Sequence, residues 1–288
     1  MKTVDDWRDY AILATANGMK LERWKDTVLL RPDPQVIWKG EDLSSRKGIN
    51  AVYRRSDKGG GGWETRESFP PEWTVRYRDL TFKVKPMGFK HTGLFPEQAV
   101  NWNVMREIIG RARSGGREQV KVLNLFAYTG GASVACAKAG AFVTHVDASK
   151  GMVERAGENA RLSGIDSGIR YIIDDCMKFV AREIKRGNRY DAVIMDPPSY
   201  GRGPNGEMWK IEDNLFEFVE KCALLLTDKP LFFLINSYTT GLQPTVIENL
   251  LKLCLKNFDG EFESYEVGLP TDEKIILPCG CSGLFTGR

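Results

Sequence analysis

The sequence lacks several features that mark whole classes of protein. No apolar run approaches the roughly 20 residues that a membrane-spanning helix needs, and the opening MKTVDDWRDY has no apolar signal segment. The six cysteines form no CxxC pair, and the two histidines, His91 and His145, form no metal-binding constellation. We therefore expect a protein that has no membrane-spanning segment, no disulfide framework and no metal site. Its thiols are expected to be reduced, in a cytoplasmic setting.

Charge of one sign is also scarce, because 41 Lys and Arg against 38 Asp and Glu give a net charge of +3. This excludes a polybasic protein that coats nucleic acid. The basic charge is local: residues 44–90 hold eleven Lys or Arg against five Asp or Glu, a surplus of +6 against −3 elsewhere. Aromatic rings alternate there with arginines, an arrangement that suits base stacking and phosphate contact. The alternative is a solvated β face in which arginine stems cover tryptophan rings. The candidate substrate-binding residues are Arg54, Arg55, Trp63, Arg66, Arg76 and Arg78.

The order of apolar segments predicts two domains. Short strand-like segments separated by Gly and Pro predict a small β-rich domain over residues 1–85, with the run 59–62 as a mobile loop or hairpin tip. After about residue 95, apolar strands alternate with helix-length segments. Residues 86–288 therefore predict an α/β fold: a doubly wound, Rossmann-like, mostly parallel sheet closed by an antiparallel terminal hairpin.

A glycine-rich turn follows the first predicted strand of this α/β domain. The segment 124–133 reads Asn-Leu-Phe-Ala-Tyr-Thr-Gly-Gly-Ala-Ser. Gly130 and Gly131 let the backbone approach a ligand, and the next helix offers free N–H groups. The turn is not GxGxxG, which weakens a dinucleotide interpretation, and an ordinary tight turn is the alternative.

Acidic residues end the next two predicted strands. Asp147 lies about 20 residues after the turn, where a carboxylate can accept from both ribose hydroxyls of an adenosine group. The third strand ends at Asp174, Asp175 and Cys176, where a carboxylate can meet the adenine amine and a backbone N–H a ring nitrogen. Each acid has a helix cap as its alternative, but a glycine-rich turn, an acid and a second acid at the ends of three successive strands together favour an adenosine-containing ligand.

The fourth strand ends in Asp196-Pro-Pro-Ser-Tyr200. Two prolines fix φ and remove two donors, so carbonyl groups project stiffly beside a carboxylate and an aromatic ring. Such a rim suits a planar amine or a base edge. A simple strand terminator is the alternative, although it does not explain the acid.

These motifs identify a resemblance that covers roughly two thirds of the chain. Residues from about 85 to 288 resemble the class I S-adenosylmethionine-dependent methyltransferases, and more closely the bacterial large-subunit ribosomal RNA group with N-x-F-x-Y-T-G-G, V-D-x-S, D-D and D-P-P. The resemblance implies S-adenosyl-L-methionine as cofactor and RNA as substrate, and it places residues 90–98 along the cofactor pocket. The cofactor-binding residues that it implies, together with those argued above, are Thr92, Phe95, Gln98, Asn124, Phe126, Ala127, Tyr128, Thr129, Gly130, Gly131, Ala132, Asp147, Ala148, Ser149, Asn159, Asp174, Asp175, Cys176 and Asp196. The candidate catalytic residues are Asp196, Pro197, Pro198, Ser199 and Tyr200.

One departure from the group bears on the reaction. Members that methylate cytosine C5 carry Ser-Cys-Ser after the fifth strand, because C5 reacts only after a thiolate adds to C6. Here residues 235–239 read Ile-Asn-Ser-Tyr-Thr. Cys254 fits a helix core, and although Cys279 or Cys281 near the terminal hairpin could approach the sheet edge, a nitrogen acceptor fits this site better.

We therefore expect methylation of a base of ribosomal RNA by direct transfer to nitrogen, without a cysteine adduct. Two alternatives remain open at this point: a methyltransferase that acts on a protein or small molecule, and a nonenzymatic RNA-binding protein that retains the cofactor fold. The oligomeric state, monomer or homodimer, is also open.

Overall fold

A computed structural model describes residues 1–56, 60–88, 90–202 and 208–288 of the chain, with only the backbone of Arg202. Of the predicted loop or hairpin tip at 59–62, residue 59 lies outside the described residues, whereas Gly61 and Gly62 form the start of a strand, Gly61–Thr65, that pairs antiparallel with Ala51–Arg55. Contacts group the chain into two units. One comprises residues 2–99 with 268–279, and the other comprises residue 1, residues 100–267 and residues 280–288. The domain boundary at residue 85 stays a prediction.

The first unit is built of strands, which confirms the β-rich N-terminal region. A five-stranded sheet has the order β2-β3-β4-β5-β6, and β7 pairs antiparallel with β8. Single 3-10 turns occupy Leu43–Ser45 and Pro96–Gln98. The strands are β1 (Lys2–Thr3), β2 (Tyr10–Ala16), β3 (Met19–Trp24), β4 (Thr27–Pro32), β5 (Ala51–Arg55), β6 (Gly61–Thr65), β7 (Trp73–Tyr77) and β8 (Leu80–Val84).

A buried ion pair lies among the apolar residues of this unit. Glu22 is fully buried on β3 and accepts hydrogen bonds from the Tyr10 hydroxyl at 2.5 Å and from Arg31 Nη2 at 2.9 Å. Burial by itself raises the pKa of Glu22, but the charges of Arg31 and Lys20 outweigh it and lower the pKa to about 2. Removal of either partner would leave an uncompensated buried charge and would therefore destabilise this unit.

The second unit alternates strands and helices, as the sequence predicts. Its strands are β9 (Lys121–Leu125), β10 (Phe142–Asp147), β11 (Ile169–Ile173), β12 (Ala192–Met195), β13 (Tyr200–Arg202), β14 (Met208–Lys210), β15 (Phe232–Ser237), β16 (Gly260–Pro270) and β17 (Ile276–Gly287). Its helices are α1 (Ala99–Ser114), α2 (Gly131–Lys138), α3 (Lys150–Leu162), α4 (Cys176–Arg186), α5 (Ile211–Ala223) and α6 (Pro244–Cys254).

The strands of this unit follow the order β16-β17-β15-β12-β9-β10-β11 in the central sheet. The pairs β9–β10, β10–β11, β9–β12 and β12–β15 are parallel, and β17 is antiparallel to β15. The α/β fold class with a mostly parallel sheet is therefore confirmed. Strand order reverses between β9 and β12, and ligands of such sheets bind beyond the carboxyl ends of the strands at this point.

Helices cover both faces of the sheet, and the inner strands are buried and mostly apolar, with polar exceptions such as Asn124 and His145. Leu123 and Leu125 of β9 join one core cluster with residues of α4, α5 and α6, whereas α2 and α3 contact β9, β10 and β11. Continuous apolar strands are typical of a parallel sheet buried on two sides. In the described part of the chain, no helix has the length and apolar character required to cross a bilayer.

Two parts of the second unit are not predicted from the sequence. Helix α1 buries Trp102, Met105 and Ile109, whose three- and four-residue spacing is a helical signal that was present but masked by polar neighbours. The antiparallel pair β13–β14 has only three residues in each strand. Alternation over three residues is too short to indicate a strand.

Candidate active site

The glycine-rich turn lies at the carboxyl ends of β9 and β10. Phe126, Tyr128 and Gly130 adopt positive φ angles of 53°, 50° and 85°. The Ala127 N–H donates to Val146 O at 3.0 Å, and the Tyr128 N–H donates to Asp147 Oδ2 at 2.8 Å. The turn predicted from sequence is thus fastened by its backbone to the end of the neighbouring strand.

Both glycines of the turn are required by close packing. A Cβ on Gly130 would lie 2.8 Å from the Ala156 Cβ, and one on Gly131 would lie 2.7 Å from Trp102 Cζ2. Helix α2 begins at Gly131, and its N-cap residue, Gly130, has no side chain with which to cap it. The first-turn N–H groups therefore face the turn as donors, and Ala132 lies half-buried among them.

Asp147 does not act as the cap of α3. Its Oδ1 accepts from the Ser149 N–H at 2.8 Å and its Oδ2 from the Tyr128 N–H, while the exposed Ser149 occupies the N-cap position without a side-chain bond. A carboxylate offers about four acceptor positions, so each oxygen retains one for a further donor. The half-buried carboxylate and the exposed Ala148 border the sheet edge.

The acids after β11 have partners within the protein. Asp175 caps α4, with Oδ1 accepting from the Lys178 N–H at 2.9 Å, so its capping interpretation holds. Asp174 forms an ion pair with Arg182. Cys176 is buried, and its sulfur accepts from the Phe126 N–H at 3.3 Å, which joins the start of α4 to the glycine-rich turn. Any contact of Asp175 with a ligand would therefore be made in addition to its capping hydrogen bond.

The Asp-Pro-Pro turn after β12 is held from two sides. Asp196 Oδ1 accepts from Asn236 Nδ2 at 3.1 Å. Pro197 is buried, whereas Pro198, Ser199 and Tyr200 are exposed. Ser199 Oγ lies 2.7 Å from Thr239 Oγ1, and the Tyr200 hydroxyl contacts Met208 Sδ at 3.0 Å.

Trp209 of β14 packs against this turn. Its Nε1–H donates to Pro198 O at 2.6 Å, and its ring centre lies 5.4 Å from that of Phe126 and 5.6 Å from that of Phe218. The Pro198 carbonyl, one of those expected to contact a substrate, therefore already accepts a hydrogen bond from the Trp209 indole. A carbonyl oxygen has two lone pairs, so one acceptor position remains.

A group of buried polar side chains supports the turn from below. Asn124 Nδ2 donates to Ser133 Oγ at 2.9 Å, and Ser133 Oγ lies 2.9 Å from His145 Nδ1. Burial lowers the pKa of His145 to about 4, so the ring is neutral at physiological pH. Asn159 is fully buried and donates to Thr129 O at 2.8 Å. Asn124 and Asn159 thus brace the turn, and their direct contact with a cofactor stays a prediction.

The remaining cofactor-binding residues predicted from the resemblance belong to the first unit. Thr92 is fully buried, its hydroxyl has no hydrogen-bond partner among the described residues, and its carbonyl accepts from the Lys85 N–H at 3.0 Å. Phe95 begins the 3-10 turn that contains Gln98, and its ring lies 5.4 Å from that of His91. Their place beside a cofactor stays a prediction.

The arginines of the window 44–90 differ in how far internal acids neutralise them. Arg54 and Arg66 both contact Glu64, and Arg78 pairs with Asp6 at 2.7 Å. Arg55 is exposed and forms no ion pair in the described residues. Arg76 and Arg78 line a concavity of about 780 Å³ together with Arg8, Trp7 and three acids, Asp5, Asp6 and Asp9.

Trp63 likewise has contacts within the protein, since its Nε1–H donates to Met87 O at 2.8 Å and its ring makes an edge contact with Tyr53. The window thus mixes internally paired cations with Arg55 and Arg76, which form no ion pair among the described residues, and their contact with RNA stays a prediction.

Two of the thiols weighed as nucleophiles from the sequence, Cys281 and Cys254, are protonated at neutral pH. Cys281 pairs in register with Ser237, the last residue of β15, and its thiol donates to Leu242 O at 3.2 Å. Burial raises the pKa of Cys281 to about 11, and burial raises that of Cys254 to about 11 as well. A nucleophile must be a thiolate, so neither thiol is prepared for attack at neutral pH.

Sequence reasoning missed four polar or aromatic residues around Asp196. Asn236 could have been found, because it ends an apolar parallel strand as Asp147 and Asp196 do. No such signal marked Trp209, Asn101 or Ser282. None of them directly follows a predicted parallel strand, so the sequence did not associate them with the Asp-Pro-Pro motif.

The residues at this edge fit S-adenosyl-L-methionine. The two glycines leave a backbone surface that any Cβ would disrupt, and the uncapped start of α2 supplies N–H donors. Asp147 retains acceptor positions for a vicinal diol, and Asp175 and the Cys176 backbone stand at the end of the adjacent strand. A doubly wound sheet with this set of groups at its carboxyl edge defines a nucleoside-binding α/β protein.

Comparison with known proteins agrees with this class. Residues 44–236, about two thirds of the chain, match the S-adenosylmethionine-dependent methyltransferase family. The chain belongs to this family, and S-adenosylmethionine is its cofactor.

Individual relatives show how far the similarity extends. Ribosomal RNA large subunit methyltransferase K/L of Shewanella frigidimarina is 30% identical over 62% of this chain and 24% of its own length. The protein of the same name from Shewanella baltica is 31% identical over 71% of this chain and 28% of its own length. The chain thus spans about a quarter of these relatives.

A solved structure covers nearly the whole chain. The SAM-dependent methyltransferase from Agrobacterium tumefaciens has a TM-score of 0.91 and 30% identity, and the match covers 99% of this chain and 93% of that one.

Proposed function

We propose that this protein transfers a methyl group from S-adenosylmethionine to a nitrogen of a ribosomal RNA base. The observation that carries the proposal is the meeting of the glycine-rich turn, Asp147, Asp175 and the Asp196-Pro-Pro turn at one carboxyl edge of a parallel sheet. Two observations support RNA as the substrate: the names of the large-subunit ribosomal RNA methyltransferases that are similar to this chain in sequence, and the basic window 44–90.

The proposed roles follow from the acceptors and donors present. Asp147 would accept hydrogen bonds from the two ribose hydroxyls, and Asp175 would accept from the adenine amine while keeping its capping bond. The first-turn N–H groups of α2 would bind the carboxylate of the methionine part. The cofactor supplies an electrophilic methyl group on its sulfonium.

Asp196 and the Pro-Pro turn would hold the acceptor. Carbonyl oxygens of the turn and the Asp196 carboxylate can accept from an exocyclic amine or a ring N–H, which turns the nitrogen lone pair toward the methyl group. The nitrogen would take the methyl group as the methyl–sulfur bond breaks and the sulfonium leaves as a neutral thioether; the nitrogen must then lose a proton, and the Asp196 carboxylate can accept it. No enzyme thiol is needed, in keeping with Asn236 and Ser237 at the place of the cysteine motif.

We also propose a cytoplasmic location, where ribosomal RNA is available. The six cysteines are all free in the structure, as expected of a reducing compartment.

The test joins binding and turnover. Asp147→Asn removes the charge that accepts from the ribose, so we expect the Kd for S-adenosylmethionine in isothermal titration to rise at least about tenfold. Glu154→Gln, an exposed acid on α3, is the matched control and should leave the Kd unchanged. Equal affinity in Asp147→Asn and wild type would contradict the placement of the ribose.

Turnover is measured with radiolabelled cofactor and ribosomal RNA from cells that lack the gene, followed by mass spectrometry of the nucleosides. We expect one N-methylated nucleoside to appear. Transfer to protein with no label in RNA would overturn the proposed substrate.

A further inference from the structure

A chain of buried hydrogen bonds runs through the second unit and ends at Asp196. The Tyr265 hydroxyl on β16 donates to Asn101 Oδ1 on α1 at 2.8 Å, and Asn101 Nδ2 donates to Ser282 Oγ on β17 at 3.0 Å. Ser282 Oγ donates to Asn236 Oδ1 on β15 at 3.0 Å, and Asn236 Nδ2 donates to Asp196 Oδ1 at 3.1 Å. We call these five side chains the Asp196 relay.

The relay lies where apolar residues would be expected. Asn101 and Ser282 are fully buried and Asn236 is 1% exposed, while the adjacent Ile235 and Leu284 belong to the apolar core. A buried amide costs free energy unless its groups are satisfied, and a partly satisfied network is worse than an apolar core. Polar groups contributed by four separate elements to one continuous path therefore indicate a use beyond folding.

Donor and acceptor directions along the relay are consistent from one end to the other. An ionised carboxylate only accepts, so Asn236 must turn its NH₂ toward Asp196 and its carbonyl toward Ser282. The Ser282 hydroxyl then donates forward and accepts from Asn101, whose carbonyl faces Tyr265. Burial raises the pKa of the Tyr265 phenol, which keeps its proton and acts as donor. The Asp196 carboxylate at one end and the Tyr265 phenol at the other thus require the same orientation of the Asn236 amide.

We propose that the Asp196 relay is a positioning device for methyl transfer, in which Tyr265, Asn101, Ser282 and Asn236 hold the Asp196 carboxylate in one orientation. The proposal rests on the proposed function, since it assigns Asp196 to the acceptor nitrogen. The other four groups act through Asp196, so they are positioning residues. Reactions between held groups lose rate when the geometry relaxes, even if binding is intact.

The first test compares variants by their distance from Asp196. Using labelled cofactor and the undermethylated ribosomal RNA, we expect kcat to fall about 50-fold in Asn236→Ala, about tenfold in Ser282→Ala and about threefold in Tyr265→Phe. The Kd for S-adenosylmethionine and the KM for RNA should change less than twofold in Tyr265→Phe.

The matched control is Tyr190→Phe, which also removes a buried hydroxyl of the second unit, one that donates to Glu183 Oε2 at 2.6 Å. It should lower the Tm about as much as Tyr265→Phe does, with kcat unchanged. If kcat instead follows Tm across all four variants, regardless of distance from Asp196, the relay has only a structural role and the proposal is overturned.

A second readout is independent of turnover. In the two-dimensional NMR spectrum, the side-chain NH₂ signals of Asn101 and Asn236 should be protected from solvent exchange. Both should shift or lose protection in Tyr265→Phe but not in Tyr190→Phe. An unmoved Asn236 signal overturns the relay, whatever the activity. Absence of wild-type transfer to RNA, with the NMR response as expected, would instead overturn the proposed function and leave the coupled hydrogen bonds established.

Discussion

Asp175 shows how one residue can satisfy two interpretations that sequence alone holds apart. Its Oδ1 caps α4, and the half-buried side chain stands at the end of β11 in the place proposed for the adenine amine. Capping needs only an acceptor oxygen, whereas recognition of an amine is strengthened by negative charge. The two uses can therefore be separated by substitution.

We expect Asp175→Ser to keep the helix cap and lose the carboxylate. Its Tm should stay close to that of the wild type, while the Kd for S-adenosylmethionine rises about tenfold. Asp175→Ala should lose both, with an additional fall of about 1 kcal/mol in the free energy of unfolding. Isothermal titration and thermal unfolding measure the two effects. Unchanged cofactor affinity in Asp175→Ser would leave the residue with capping alone.

The thiols give a prediction about pH. Because the pKa of Cys281 is raised to about 11 by burial, its thiolate is a minor species below that pH. Cys281→Ala should therefore retain methyl transfer within about twofold between pH 7 and 9. Cys254→Ala is the control. Loss of activity only in Cys281→Ala, or a covalent RNA adduct in the intact mass spectrum of the wild type, would point to a thiol mechanism.

At the scale of elements, the strand pair β13–β14 adds an aromatic residue to the Asp-Pro-Pro turn. The pairing Gly201↔Trp209 brings the indole back to the Pro198 carbonyl and against Phe126. The two strands are too short to be predicted from alternating apolar residues. The sequence therefore indicated the two prolines but not Trp209, which donates a hydrogen bond to the Pro198 carbonyl.

Trp209→Phe keeps an aromatic ring and removes the N–H donor. Because the turn then loses a fixed hydrogen bond, we expect kcat/KM for RNA to fall about fivefold with cofactor affinity unchanged. Trp38→Phe removes a similar indole bond, to Thr15 O at 2.9 Å, in the first unit and serves as control. A rise in kcat/KM would mean that the indole competes with the substrate for the carbonyl.

The long elements were predictable because their signal is local. Strand β12 is apolar throughout and β9 is apolar except at Lys121 and Asn124, while α5 and α6 repeat apolar residues at helical spacing. The three acidic strand ends were found for the same reason. Whether each acid faces a ligand or a helix depends on neighbours that are distant in sequence, as Arg182 and Lys178 illustrate.

At the scale of the whole molecule, the basic window is weaker than its count suggests. Acids that lie far away in sequence, such as Asp6 at Arg78, neutralise part of the surplus. Exposed pairs of this kind contribute little stability, but they compete with phosphate for the same guanidinium. Anion binding should therefore depend unequally on the arginines.

We expect Arg55→Glu to weaken binding of a ribosomal RNA fragment about tenfold at low salt and to reduce the slope of log K against log salt by about 1. Arg78→Glu, whose native partner is Asp6, should have a smaller effect. Arg111→Glu, outside the window and paired with Glu107, changes the net charge equally and is the control. Equal losses in all three variants would indicate that net charge, not the window, governs binding.

The sequence by itself determined the α/β class, the β-rich N-terminal region, the positions of most elements and the glycine-rich or acidic residues that follow four strands. These features follow from the period of apolar residues and from turn chemistry, which act over a few residues. Only the tertiary structure decided which acids are already paired, which carbonyl holds Trp209, and that Tyr265, Asn101, Ser282 and Asn236 form one path to Asp196. Hydrogen bonds between residues up to 181 positions apart depend on how sheet and helix pack, and no local pattern encodes them.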